Sequence, residues 1–71
     1  MITLITGANG HIGSRLVHKL SQRGRQIRAF VRANADLSGL KDAQGALPAG
    51  VELFVGDVLD PASLLAALDD V

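Results

Sequence analysis

An α/β fold, the opening half of a doubly wound parallel sheet, is predicted by three observations in the sequence. Short apolar, β-branched runs alternate with stripes of helical period. The connections between runs are long enough to bring the chain back for parallel pairing, and the first run meets the first stripe at a cluster of glycines. The order reads β-α-β-(α)-β-α, and right-handed crossovers set the strands side by side as 3-2-1.

Met1 to Thr6 is apolar with little alternation, as in a strand covered on both faces. From Ile12 a helical stripe carries Ile12, Leu16, Val17 and Leu20, with Ser14, Arg15, Lys19 and Gln22 expected on the opposite side. Gly24 ends this helix as a left-handed C-terminal cap, and Lys19 and Arg23 suit the negative end of its dipole. His18 is expected on an exposed flank. Gln26 to Arg32 forms the second strand around Ile27, Ala29, Phe30 and Val31. Asp36 is positioned to cap a short helix bearing Leu37, Leu40 and Ala43, and residues 44–50 read as connection. Val51 to Val55 is the third strand, with Gly56-Asp57 at its carboxyl end. Asp60-Pro61 then opens a helix, the aspartate as N-cap and the proline at the first position. Leu64, Leu65 and Leu68 form its expected buried face.

The hydrophobic fraction of 48% is ordinary for a globular chain, and seven basic residues balance seven acidic ones. That balance excludes a nucleic-acid footprint and an acidic tail. There is no cysteine for a disulfide or zinc site, and the only two histidines, His11 and His18, match no metal-ligand spacing. No run approaches the about 20 apolar residues of a spanning helix, and Met1 is not followed by a basic leader segment. The expected compartment is therefore the cytoplasm, with neither metal nor membrane as partner. Seventy-one residues make at most one domain. Residues 1–71 are expected to be a partial domain that stops before its fourth strand, leaving the apolar first strand as an open edge for self-association.

The glycines lie in Thr6-Gly7-Ala8-Asn9-Gly10-His11-Ile12-Gly13, at spacing G-x-x-G-x-x-G between a strand and a helix. Gly7 suits a tight turn off the strand, Gly10 lets backbone approach a pyrophosphate, and Gly13 lets the helix press onto the sheet. The free N–H groups around His11 and Ile12, with the helix dipole, would meet the anion. In this context the loop predicts a three-layer Rossmann-like domain that binds a nicotinamide dinucleotide. Thr6 and Asn9 are expected to brace the loop, and Ser14 is within reach of a phosphate.

This loop resembles that of the extended and atypical short-chain dehydrogenase/reductases. Phe30-Val31-Arg32 is similar to the second-strand end of their NmrA-like, NADP-binding branch, and Gly56-Asp57-Val58 with Asp60-Pro61 is similar to their adenine-side segment. The resemblance implies that Asp57 accepts from the adenine amino group and that the backbone at Val58 lies along the ring. A Gly-Asp after a strand is also a common turn.

Sites that prefer NAD carry a carboxylate about 20 residues past the glycine loop, where it holds the ribose hydroxyls. Here Arg32 occupies that region, and its guanidinium can offer paired donors to a 2′-phosphate, favouring NADP(H) over NAD(H). The alternative makes Arg32 a solvated strand-end charge and brings Asp36 to the ribose. Arg28, on the same side of the strand by alternation, is a weaker phosphate candidate. The Tyr-x-x-x-Lys pair of the catalytic relatives is absent, since the chain has no tyrosine. No residue here therefore qualifies as a general acid. The parent is expected to be an NAD(P)-dependent oxidoreductase or epimerase-like protein whose later segments bring the chemistry, or an NmrA-like NADP(H)-sensing regulator that needs none.

Overall fold

The computed structural model describes residues 2–42 and 44–71. Met1, assigned above to the first strand, and Ala43, assigned to the short helix, lie outside the described residues. The elements in chain order are β1 (Ile2–Thr6), α1 (His11–Gln22), β2 (Gln26–Val31), β3 (Val51–Val55) and α2 (Pro61–Ala67). Both strand pairs are parallel and the sheet order is β1-β2-β3, which is the predicted 3-2-1 viewed from the other edge. Arg32 follows β2 rather than closing it.

Alternation along β2 divides the molecule. Ile27, Ala29 and Val31 point to one face, where they join Ile5, Ala8, Val17 of α1 and Leu40 in a single buried cluster. Arg28 and Phe30 point to the other, under α2. There the register pairs Arg28 with Glu52 and Phe30 with Phe54. The phenylalanine rings stack with centroids 5.7 Å apart, and the Arg28 guanidinium lies 6.0 Å from the Phe54 ring centre. Arg28 Nε donates to Glu52 at 2.5 Å, while Nη1 donates to the carbonyls of Ala67 and Asp69 at 2.7 and 2.6 Å. A cation thereby meets the negative end of α2 and fastens it to the sheet. This arginine is structural, and the phosphate role considered for it has no geometric basis.

The helix ends obey local rules. At the end of α1, Gly24 has φ +77°. Its N–H donates to the Ser21 carbonyl at 3.0 Å, and that of Arg25 donates to the Leu20 carbonyl at 3.1 Å. These are the two bonds of a Schellman cap. At the start of α2 the Asp60 carboxylate accepts from the Ala62 N–H at 3.1 Å, ahead of Pro61 at the first position.

The helix faces differ from the predicted stripes. Ser14 is buried whereas Ile12 is 81% and Leu16 46% exposed. In α2 the buried residue is Ala67, while Leu65 and Leu68 stand out in solvent. The cause is backbone approach. Gly13 must face the Gly7 carbonyl, as described below, which turns Ser14 and Val17 inward. In α2 the small Ala67 lets the helix end come down to Arg28.

The short helix expected after β2 is replaced by turns. The Asp36 carboxylate accepts from the Ser38 N–H at 3.0 Å, and that of Asp42 accepts from the N–H groups of Gln44 and Ala46, both at 2.9 Å. The Asp36 bond is one that an N-cap would make, but the Asp42 carboxylate captures donors that a continuing helix would have needed, and Gly45 adds a positive φ of 81°. Among the described residues of this stretch a single helix-like turn forms, with the Leu40 and Lys41 N–H groups sharing the Leu37 carbonyl. The connector nevertheless covers the sheet. Leu40 is fully buried, and α1 holds the connector through His18 Nε2 to the Gly39 carbonyl at 2.9 Å and Ser21 Oγ to the Ala49 carbonyl at 2.5 Å. His18 is thus half-buried and tethered instead of free on an exposed flank.

No helix among the described residues is long and apolar enough to cross a membrane. Because Leu40 fills the core without help from a helix of its own, Leu40→Ala should lower unfolding free energy by about 2–5 kcal/mol, measured by urea denaturation.

Candidate functional site

The glycine loop is shaped by three approaches of backbone to backbone. Gly7 leaves β1 with φ +61°. Its carbonyl accepts from the Gly10 N–H at 3.0 Å, closing the turn, and Ala8 is fully buried beneath it. A Cβ at Gly13 would overlap the Gly7 carbonyl oxygen and lie 3.0 Å from its carbon and 3.1 Å from Ala8 Cα. A Cβ at Gly10 would stand 3.2 Å from the same oxygen. The helix start is therefore drawn onto the strand end as the spacing predicts.

Gly10 is the N-cap of α1, in extended conformation, and supplies no side-chain acceptor. The Ser14 N–H donates to the Gly10 carbonyl at 2.8 Å. Ahead of it, the N–H groups of His11, Ile12 and Gly13 have no acceptor among the described residues. Those donors, at the positive end of a twelve-residue helix, fit an anion such as a pyrophosphate. The side chains of His11 and Ile12 are exposed, and what these residues offer at the helix start is backbone N–H. Ser14 is not directed at the anion position, since its hydroxyl is buried and donates to the His11 carbonyl at 3.3 Å.

Beside this helix start, at the carboxyl ends of the strands, lies a cleft of about 690 Å³. Asn9 represents the glycine loop in it. The turn after β2 contributes Arg32, Ala33, Asn34 and Ala35, closed by the Ala35 N–H to the Arg32 carbonyl at 3.1 Å. The opposite wall is Val55, Gly56 and Asp57, followed by Asp60 and Ser63 of the α2 start. A crevice outside the carboxyl ends of parallel strands is where open α/β sheets bind ligands.

The walls differ in charge. Arg32 is exposed and makes no ion pair among the described residues. Across from it, one oxygen of the Asp57 carboxylate accepts from the Leu59 N–H at 2.9 Å, and the Asp57 N–H donates to Ser63 Oγ at 3.0 Å. Asp36 does not line the cleft. Hydrogen bonds from the Ser38 backbone and then its side chain hold the Asp36 carboxyl below the usual range, with desolvation opposing weakly.

Of the residues singled out in the sequence, Asn9, Arg32 and Asp57 meet in this cleft. Gly7, Gly10, His11, Ile12 and Gly13 form the adjoining loop and helix start, and Val58 is exposed beyond the lining residues. Asp60, named with the adenine-side segment, also lines the cleft, whereas sequence reasoning did not single out Asn34 or Ser63 for the site. Ser63 had a signal, because it follows the Asp60 cap by three positions and so lies on the cap's side of the helix. No group of three His, Cys, Asp or Glu side chains among the described residues could hold a metal ion.

The family model described as NAD(P)H-binding matches residues 7–71. Sterol demethylase protein B of Methylococcus capsulatus is 41% identical over 71 residues, covering all of this chain and 20% of that protein. The chloroplastic divinyl chlorophyllide a 8-vinyl-reductase of Zea mays is 36% identical over 67 residues, covering 92% of this chain and 17% of that protein. Sanguinarine reductase of Eschscholzia californica is 32% identical over 73 residues, covering 100% and 24%. The crystal structure of gox2253 superimposes with a TM-score of 0.77 at 40% identity, over 94% of this chain and 18% of that one. The chain thus spans between a tenth and a quarter of the length of the curated relatives it matches.

Two outcomes follow from the loop and turn geometry. Gly13→Ala should abolish dinucleotide binding in a titration and lower the melting temperature, because the added carbon meets backbone and no side chain can yield. The folded-state pKa of Asp36 is depressed, so its contribution to stability is present above the unfolded pKa and is lost as pH falls through the folded value. Asp36→Ala should therefore lower the melting temperature at neutral pH, and the difference from the parent should shrink in acid.

Proposed function

The chain belongs to the NAD(P)H-binding family, and on that premise we propose that it holds NADP(H) in preference to NAD(H), as the cofactor half of an oxidoreductase or epimerase-like protein. The observation that carries the preference is the cleft's single basic wall. Arg32 opens onto it unpaired among the described residues, while Asp36, the nearby carboxylate that could have served ribose hydroxyls, is engaged by Ser38 and absent from the lining. A guanidinium offers a rigid pair of donors that matches a 2′-phosphate, whereas the unphosphorylated ribose offers it no charge.

In this reading the pyrophosphate and adenine parts of the ligand meet residues of matching chemistry. The pyrophosphate lies on the N–H groups of His11, Ile12 and Gly13, where Gly10 leaves room and the helix dipole adds positive potential. Asp57 retains one carboxylate oxygen beyond the Leu59 bond, free to accept from the adenine amino group, with Val58 flanking the ring. When bound, the nicotinamide would supply hydride chemistry, and the residues described above would hold the adenosine and pyrophosphate parts of the cofactor. Two of the relatives, the divinyl chlorophyllide a 8-vinyl-reductase and sanguinarine reductase, are reductases, which supports the oxidoreductase reading for the parent protein.

Arg32→Asp tests the preference. Loss of a charge-assisted contact is worth about 1.5–3 kcal/mol, so NADPH affinity should fall roughly 10- to 150-fold relative to NADH in parallel calorimetric titrations. An unchanged ratio removes Arg32 from the phosphate role.

A further inference from the structure

The wall opposite Arg32 is built more tightly than cofactor contact alone requires. On leaving β3 the chain turns at Gly56, whose N–H donates to the Val31 carbonyl at 2.9 Å. Where a Cβ would stand on Gly56, the Ser63 hydroxyl already occupies the space, and the Phe30 ring lies at 2.8 Å (Cζ) and 3.0 Å (Cε2). Phe30 is buried and stacked on Phe54, so it offers the segment a firm floor. Ser63 Oγ accepts from the Asp57 N–H at 3.0 Å. The Asp57 carbonyl in turn accepts from the Asp60 N–H at 3.0 Å. Both peptide groups flanking the Asp57 α-carbon are therefore held, one by a side chain of α2 and the other by its cap residue.

We propose that Ser63 is a positioning residue for base recognition, fixing the Asp57 backbone so that its carboxylate selects a 6-aminopurine over a 6-oxopurine. The inference rests on the reading of Asp57 as the acceptor for adenine. An exposed aspartate makes a poor discriminator when its backbone can rotate, because the carboxylate follows the base and tolerates either ring edge. A fixed carboxylate accepts from an exocyclic amine and repels a carbonyl oxygen in the same place. Without the Ser63 hydroxyl, the Asp57 N–H loses its acceptor on the half-buried side and the segment turns to seek another.

The test compares binding of NADPH and its hypoxanthine analogue to the full chain by calorimetric titration. The parent should prefer the adenine form by about tenfold, the scale of one charge-assisted hydrogen bond. Ser63→Ala should lose most of that ratio, although the melting temperature changes little. Gly56→Ala, whose added carbon displaces the Ser63 hydroxyl and presses on the buried Phe30 ring, should lose it by a second route together with a lower melting temperature. A merely structural role for Ser63 would weaken both ligands equally and keep the ratio, which overturns the proposal. If Asp57→Ala abolishes the ratio and the Ser63 and Gly56 variants retain it, the adenine reading stands and the positioning role falls. If Asp57→Ala also retains it, both fall.

Discussion

At Gly13 there is room for a hydrogen and no more, because the Gly7 carbonyl and the Ala8 α-carbon lie where any side chain would begin. That contact draws the start of α1 onto the end of β1 and sets the roll of the helix about its axis. Ser14 and Val17 then face the sheet and Ile12 and Leu16 do not, whatever their hydropathy. The same contact leaves the first N–H groups of α1 at the strand ends, beside the points where Arg32 and Asp57 leave β2 and β3. Packing and ligand geometry thus share one origin, and the remaining elements arrange themselves around it.

The far face of the sheet is organised by charge as well as apolar contact. Arg28 sits in the middle of the central strand and is satisfied by Glu52 and by two carbonyls at the end of α2. A partly buried guanidinium with three acceptors is a directional fastener, whereas apolar burial is not. It fixes one end of α2 while the Ser63 contact fixes the other. A helix of seven residues has little stability alone, and its position is dictated by these two attachments.

The strands were legible because their apolar runs were compact and bounded by turn residues, and the helix ends because Gly24 and Asp60-Pro61 act through their immediate neighbours. The helix faces were not. Periodicity ranks side chains by hydropathy, but in α1 a glycine contact decided the roll, and in α2 the small Ala67 took the place expected for Leu65 and Leu68. The connector misled for a related reason. Asp36 does bind a backbone N–H two residues on, as a cap would, yet the Asp42 carboxylate and Gly45 consume the continuation. Within the site, Asn9, Arg32 and Asp57 could be picked out because each ends a recognisable element. Ser63 had only its spacing from the Asp60 cap to mark it, since its contacts with Gly56 and the remote Phe30 form only once the chain folds.

The connector between β2 and β3 is pinned near its middle and at its end, by His18 to Gly39 and by Ser21 to Ala49, with Leu40 as its core anchor. Described residues between those pins, Lys41, Asp42 and Gln44 to Ala46, are exposed and bond chiefly to one another. Insertions or deletions there would change neither the exit of Arg32 from the sheet nor the entry of Val51 into it. The edge that carries the cleft is in this way insulated from drift in loop length, and the chain can acquire new surface on this side of the domain while the cleft keeps its dimensions.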